Sequence, residues 1–128
     1  MNSQLRTLSC AFLLGLLNGG VCADEKADAD AQLSRLRNEI TALVGRAKCV
    51  NLVNWRIVAL GANACGGPHE YIAYSWLSTE KATLETRIAE YNFAFEDAQA
   101  GTPGGACTAL PEPVAACMNG RCVIPGGR

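Results

Sequence analysis

The chain has 128 residues, of which 49% are hydrophobic and 18% are charged, and its formal net charge at pH 7 is −1. This balance excludes a disordered acidic segment and a basic protein that binds nucleic acid. Seven cysteines and a single histidine in so short a chain are typical of a small disulfide-stabilised protein rather than of a cytosolic enzyme. We therefore expect one domain.

Residues 1–23 have the pattern of a secretory signal peptide. Arg6 precedes an apolar run over residues 8–17, and the small residue Ala23 marks the predicted cleavage site. The apolar run is too short to cross a bilayer, which requires about 20 residues. We therefore expect an exported protein, periplasmic or secreted, without a transmembrane segment. A lipid anchor at Cys22 is the alternative, although the residues before it fit a lipidation signal poorly.

Residues 24–48 are predicted to form an N-terminal helix. Apolar residues recur there at a spacing of three and four, which places them on one face of a helix. The members of this stripe are Leu33, Leu36, Ile40, Leu43, Val44 and Ala47. Acidic residues near the start, such as Asp28, and basic residues near the end, such as Arg46, match the helix dipole.

Two strands are predicted next. Residues 51–60 alternate, with Val53, Trp55, Ile57 and Ala59 on one side and Asn54 and Arg56 on the other. This pattern indicates a half-buried strand. Residues 61–68 have turn composition, and residues 70–77 are aromatic enough to form a second, antiparallel strand.

A second helix and a hairpin complete the predicted elements. Ser78 is the predicted N-cap of a helix that extends to Ala100. Its apolar stripe consists of Leu84, Ile88, Tyr91, Phe95 and Ala98. In the tail, Asn119-Gly120 separates two short apolar runs, which predicts a type I′ hairpin.

These elements predict an α+β fold in which a short antiparallel sheet packs with one long helix. The N-terminal helix over residues 24–48 precedes a small disulfide-bridged domain over residues 49–128. That helix is expected either to pack alongside or to act as a spacer.

Cleavage after Ala23 leaves an odd number of cysteines, so at least one thiol lacks an intramolecular partner or pairs between chains. They are Cys49, Cys65, Cys107, Cys117 and Cys122. A straight strand over residues 51–60 would span roughly 33 Å, which argues against a Cys49–Cys65 bridge. An unpaired thiol can also link two copies of the chain in a disulfide-bonded dimer.

Two pairings remain open. Cys107 is the natural partner of Cys65, because that bridge would join the turn to the segment after the second helix. In the predicted hairpin Cys117 faces Cys122, which allows a cross-strand bridge. The alternative is that one or both of these cysteines lie against the first strand, where Cys49 is the available partner.

Four segments within residues 49–123 together resemble a family of small exported bacterial proteins and lipoproteins. They read GANACGGP at 61–68, EYIAYS at 70–75, EYN at 90–92 and CMNGRCV at 117–123. The resemblance implies export and disulfide bonds, but no reaction, since the family has no established activity. Relatives carry a second cysteine where this chain has Trp55. The resemblance thus implies that one bridge is lost here and that a tail cysteine is unpaired.

The turn is the candidate functional site. The residues of the expected recognition loop are Gly66, Gly67, Pro68, His69, Glu70 and Tyr71. Loops on a rigid scaffold present binding groups with a small entropic penalty. We therefore expect a non-enzymatic binding or structural module with an unknown protein partner, and inhibition of a secreted or envelope protein is one version. The simpler interpretation is that the turn only joins two strands.

A thiol-dependent enzyme is the rival interpretation. Cys65 would be the nucleophile and His69 the base that holds it as a thiolate. The sequence contains no hydrolase or glycosidase signature, no recognised four-ligand metal pattern and no nucleotide-binding glycine motif. We therefore predict no catalytic residues, no metal and no cofactor.

Overall fold

A computed structural model describes residues 21–51, 53–63, 67–101 and 110–125. Its elements are helix α1 (Val21–Val44), strands β1 (Trp55–Ala62) and β2 (Pro68–Ser75), helix α2 (Lys81–Gln99), and strands β3 (Ala116–Met118) and β4 (Arg121–Val123). The predicted α+β class and element order are confirmed. Residues 1–20 of the predicted signal peptide lie outside the described residues.

The main core lies between the two helices and one face of the β1–β2 sheet. The two helical stripes supply most of it, as their spacing predicts. The buried members are Leu36, Ile40, Leu60, Tyr74, Leu84, Ile88, Tyr91 and Phe95. Helix α1 packs alongside α2 and is not a spacer. An ion pair between Arg87 and Glu39, with 3.2 Å between Nε and Oε2, also joins the helices.

The bounds of both helices differ from the prediction: α1 begins three residues before residue 24 and ends four residues before residue 48, and α2 begins after Glu80 rather than after Ser78. Helix α1 stops at Val44 because Gly45 adopts a left-handed conformation, with φ of 55°. The N-cap of α2 is Glu80, whose carboxylate accepts hydrogen bonds from the amides of Ala82 and Thr83. The predicted Ser78 cap is wrong, because the amide of Ser78 donates to the carbonyl of Ser75 in the turn after β2.

The β1–β2 sheet is antiparallel, with Trp55 opposite Ser75 and Ala62 opposite Pro68. Strand β1 begins later than predicted. Val53 is 63% exposed and Asn54 only 8% exposed, which reverses the predicted alternation before the strand. The Asn54 carboxamide oxygen accepts hydrogen bonds from the amides of Val50 and Asn51, so this polar side chain closes a turn and is buried by it.

The second sheet is the predicted hairpin. Asn119 and Gly120 have φ of 52° and 73°, as a type I′ turn requires. The chain after α1 runs beside β4, where the amide of Cys122 donates to the carbonyl of Ala47 at 2.8 Å. This hairpin covers the face of the β1–β2 sheet that lies opposite the helices, around a small cluster of Ala47, Cys49 and Cys122.

Candidate functional site

The predicted recognition loop is shorter than its sequence indicates. Pro68, His69, Glu70 and Tyr71 belong to β2 and are paired with β1 or stand opposite it, so they are not displayed on a loop. Gly67 precedes the strand, and its carbonyl accepts a hydrogen bond from the amide of Asn63 at 2.7 Å. Gly66 and Cys65 lie outside the described residues.

His69 packs against α2 at the end of the sheet. Its ring centroid lies 4.9 Å from that of Phe95. On the neighbouring strand, Gly61 lies opposite His69 and has φ of 68°. A Cβ at Gly61 would lie 2.8 Å from the Cβ of His69. The amide of Gly61 donates to the side-chain oxygen of Asn92 at 2.8 Å. A glycine is therefore required at position 61, because both the backbone conformation and the space exclude a side chain.

Glu70 is occupied by a partner from α1. Arg37 donates to both carboxylate oxygens, with distances of 2.7 Å from Nε and 2.9 Å from Nη2. Such a bidentate arginine–carboxylate contact consists of two charge-assisted hydrogen bonds, which are stronger than hydrogen bonds between neutral groups. The pair joins α1 to β2 and engages both carboxylate oxygens of Glu70.

The cysteines follow the alternative pairing. A disulfide joins Cys49 to Cys117, with 5.9 Å between their Cα atoms. Cys122 lies directly opposite Cys117 across the hairpin, as predicted, but its thiol is free. The expected Cys65–Cys107 bridge lies outside the described residues.

The free thiol of Cys122 is buried, with 7% of the residue exposed. Burial raises the pKa of this thiol above its ordinary value of 9.0, so it is protonated at neutral pH. A thiol in this state is a poor nucleophile and is inaccessible to a second chain. Cys122 is therefore a poor candidate for the disulfide-linked dimer. Trp55, where the resembling family has a cysteine, packs against the cluster that holds Cys122.

A groove lies beside Cys122, and we call it the β2-edge groove. Its floor is residues 71–73 of β2, one wall is α1 with Arg37, Thr41 and Val44, and the other wall is residues 121–124. Its volume is about 380 Å³. This lies at the lower end of the usual range for small-molecule pockets, which is about 300 to 1,000 Å³.

The floor of the β2-edge groove is an unpaired strand edge. The amide of Trp76 donates to the carbonyl of Asn54 at 3.2 Å. Trp76 and Asn54 therefore form a hydrogen-bonded pair, and hydrogen-bonded and non-bonded pairs alternate along an antiparallel ladder. Ala73 and Tyr71 lie three and five positions before Trp76, so both belong to non-bonded pairs and direct their N–H and C=O groups away from β1. Among the described residues, no other strand or side chain satisfies these groups.

The wall formed by β4 carries one cation, Arg121, and a second cation, Lys48, stands beside it on the segment after α1 without lining the groove. Lys48 and Arg121 face each other in an isolated antiparallel bridge, and both are exposed. Like charges in directly opposed positions repel one another. Within the described ranges neither forms an ion pair with a carboxylate. The sequence has no Asp or Glu between Glu39 and Glu70 or after Glu112.

The sequence analysis missed the groove residues Arg37, Thr41, Ala73 and Arg121. The long interval without acidic residues is the one signal that could have pointed to a basic surface. It does not show which cations come together, because α1, β2 and β4 are far apart in the chain.

Comparisons with protein-family models, with curated proteins and with solved structures gave no match. The resemblance to small exported bacterial proteins therefore stays a prediction. Within the described residues, neither helix combines the length and the apolar composition needed to cross a membrane.

Proposed function

We propose that this chain is an exported, non-enzymatic binding module that recognises a protein partner in the β2-edge groove. Inhibition of a secreted or envelope protein is one form of this function. The observation that carries the proposal is the unpaired edge of β2 on the floor of a groove of about 380 Å³. The outward N–H and C=O groups of this edge can form hydrogen bonds with an extended segment of a partner, and such binding involves no chemical reaction.

The groove is supported on both sides by fixed elements. The Arg37–Glu70 pair attaches α1 to β2, and the Cys49–Cys117 disulfide attaches the hairpin to the segment after α1. A preformed site loses little conformational entropy when a partner binds. This rigidity suits a binding module.

The rival, a thiol-dependent enzyme that uses Cys65 and His69, draws no support from the described residues. His69 packs on Phe95, and the described free thiol, Cys122, is held protonated by burial. A thiol enzyme needs a thiolate beside a base. The position of Cys65 relative to His69 stays a prediction.

Photo-crosslinking from two matched threonines tests the proposed function. Thr41 lies on the α1 wall of the groove, and Thr86 lies on α2. Both are exposed, and each hydroxyl donates to the carbonyl four residues earlier, at 2.8 Å and 3.0 Å respectively. A photoreactive residue at position 41 should capture a discrete protein from the exported fraction, whereas the same residue at position 86 should not. Equal capture at both positions would contradict a groove-directed function.

A further inference from the structure

We propose, on the basis of the binding function above, that the segment bound in the β2-edge groove is an extended acidic peptide that adds to β2 as a third strand. The juxtaposition that leads to this inference is an open strand edge in a groove lined by an unneutralised cation, Arg121, with Lys48 directly opposite Arg121 on the neighbouring segment. Each part supplies one half of the recognition: the edge selects an extended backbone, and the cations select carboxylates.

The backbone half follows from the register of the sheet. Tyr71 and Ala73 are two positions apart, so their outward N–H and C=O groups repeat at about 6.8 Å along the strand. Alternate residues of an added strand present their own N–H and C=O groups at the same repeat. The bound peptide therefore pairs with β2 through every second residue.

The other edge of the sheet, along β1, is less suited to an acidic strand. At one end of β1, the Gly61 amide is already bonded to Asn92 of α2. Helix α2 packs against β1 and contributes Leu84, Ile88 and Phe95 to the core there. A pocket of about 410 Å³ lies beside residues 56–58 of β1, and its lining includes Glu85 of α2, whose carboxylate repels an acidic peptide. The edge of β2 is therefore the one suited to an acidic strand.

The charge half follows from the walls of the groove. Arg37 on the α1 wall is already paired with Glu70, whereas Arg121 on the β4 wall and its neighbour Lys48 have no carboxylate partner in the described part of the chain. A carboxylate placed between these two cations removes their mutual repulsion and forms charge-assisted hydrogen bonds.

The two walls together predict an alternating peptide. Successive side chains of a strand point to opposite faces. One set therefore meets the basic β4 wall, and the other set meets Val44 and Thr41 on the α1 wall. We expect acidic residues in the first set and small or apolar residues in the second.

A second copy of this chain is disfavoured as the occupant. Two copies that paired through β2 around a two-fold axis would bring both Arg121 and Lys48 pairs to the same interface. Like charges in one interface oppose association. An acidic partner has the opposite and favourable charge.

The test titrates the ¹⁵N-labelled full chain with an acetylated, amidated hexapeptide, TEVEVT, and with TKVKVT as the charge control. The amide signals of Tyr71 and Ala73 should shift with TEVEVT. The lysine peptide should bind about tenfold or more weakly, because it meets the same cations. Replacement Arg121→Gln should reduce that difference, because only Lys48 then remains of the pair, whereas the exposed Arg56→Gln on β1 should leave it unchanged.

Two N-methylated forms of TEVEVT test the strand geometry. One carries methyl groups on both glutamate amides, and the other carries them on both valine amides. Only alternate amides of an added strand face β2. One form should therefore bind about tenfold or more weakly than TEVEVT, and the other should bind about as well.

Four results would overturn strand addition by an acidic peptide. They are the absence of TEVEVT binding at about 5 mM, equal loss or equal retention with both methylated forms, shifts confined to residues outside the groove, and a dimer in sedimentation analysis of the free chain. If these occur while position 41 still captures a partner, the binding function stands and only the peptide class is wrong. If capture also fails, both proposals fail.

Discussion

The two faces of the β1–β2 sheet are stabilised in different ways. The helix-covered face buries eight residues, among them Leu60, Tyr74 and Phe95. On the hairpin-covered face, the cluster of buried hydrophobic residues in the described part of the chain consists of Ala47, Cys49 and Cys122, with half-buried neighbours. Burial of apolar area contributes about 25 cal/mol per Å², so the face with small side chains gains much less from it.

The disulfide compensates for this difference. Cys49 and Cys117 are 68 positions apart in sequence, so their bond closes a large loop of the unfolded chain. Closing a long loop raises the free energy of the unfolded state. We conclude that the helix face depends on apolar packing and that the hairpin face depends on a covalent bond.

The strongest test of this contrast is Leu84→Ala on the helix face. Leu84 is 1% exposed, so the replacement leaves a cavity and should lower the free energy of unfolding by about 2 to 5 kcal/mol. Urea denaturation followed by circular dichroism measures it. Leu77→Ala is the control, because Leu77 is 51% exposed and its loss should change stability by less than about 0.5 kcal/mol. Similar losses in the two variants would contradict the assigned core.

The double replacement Cys49→Ala/Cys117→Ala tests the hairpin face. We expect a loss of about 2 to 4 kcal/mol in the free energy of unfolding. Amide hydrogen exchange should accelerate first in β3 and β4 and less in α2, because the bond holds only the hairpin side. Cys122→Ala is the control that removes a buried sulfur without breaking a bond, and it should cost less than about 1.5 kcal/mol. Uniform acceleration across both faces would show that the faces are not independent.

The Gly61→Ala replacement tests the junction between the sheet and α2. The added Cβ would lie 2.8 Å from the Cβ of His69, at φ of 68°. The expected loss is about 1 to 3 kcal/mol. At Gly101, φ is 80° but no atom lies within 4 Å of an added Cβ, so Gly101→Ala isolates the backbone strain. Thermal denaturation of both variants separates the two contributions, and equal losses would mean that the contact with His69 is harmless.

The features that sequence analysis predicted well are local and periodic. The stripes of α1 and α2 repeat with the helical period, and Asn119-Gly120 suits only a few backbone conformations. Such signals lie within a few neighbouring residues. The two helices and the tail hairpin could therefore be predicted without knowledge of the tertiary structure.

The features that sequence patterns do not predict arise from short turns with unexpected hydrogen bonds and from contacts between distant segments. Asn54 is buried because its side chain closes a turn with the amides of Val50 and Asn51. A bond from a tail cysteine to Cys49 was one of the open pairings, and the Cys49–Cys117 bond forms because the segment after α1 lies beside the hairpin. Ser78 has the residue type of a helix N-cap, but it lies in the turn after Ser75, so Glu80 caps α2 instead. The β2-edge groove needs three separate elements, and no local pattern indicates their arrangement.

The smallest expected effect concerns the cap of α2. Hydrogen bonds from Thr83, and then from the amide of Ala82, hold the pKa of Glu80 below its ordinary value of 4.5. Because the folded state favours the ionised form, this stabilisation is present above pH 4.5 and is lost as the pH falls through the folded-state pKa. Below pH 4.5, the Tm of the Glu80→Gln variant should therefore fall less steeply with decreasing pH than the Tm of the original chain. Identical acid profiles for the variant and the original chain would contradict the role of the cap.

The position of Cys117, bonded to one cysteine and opposite another, has a consequence for oxidative folding. When an external oxidant removes two electrons and two protons from the reduced hairpin, Cys117 and Cys122 are expected to join first, because short loops close more readily than long ones. The Cys49 thiolate then attacks the sulfur of Cys117 and expels Cys122 as the leaving thiolate, which takes up a proton as it becomes buried. By this route, the chain corrects a premature crosslink without an external thiol.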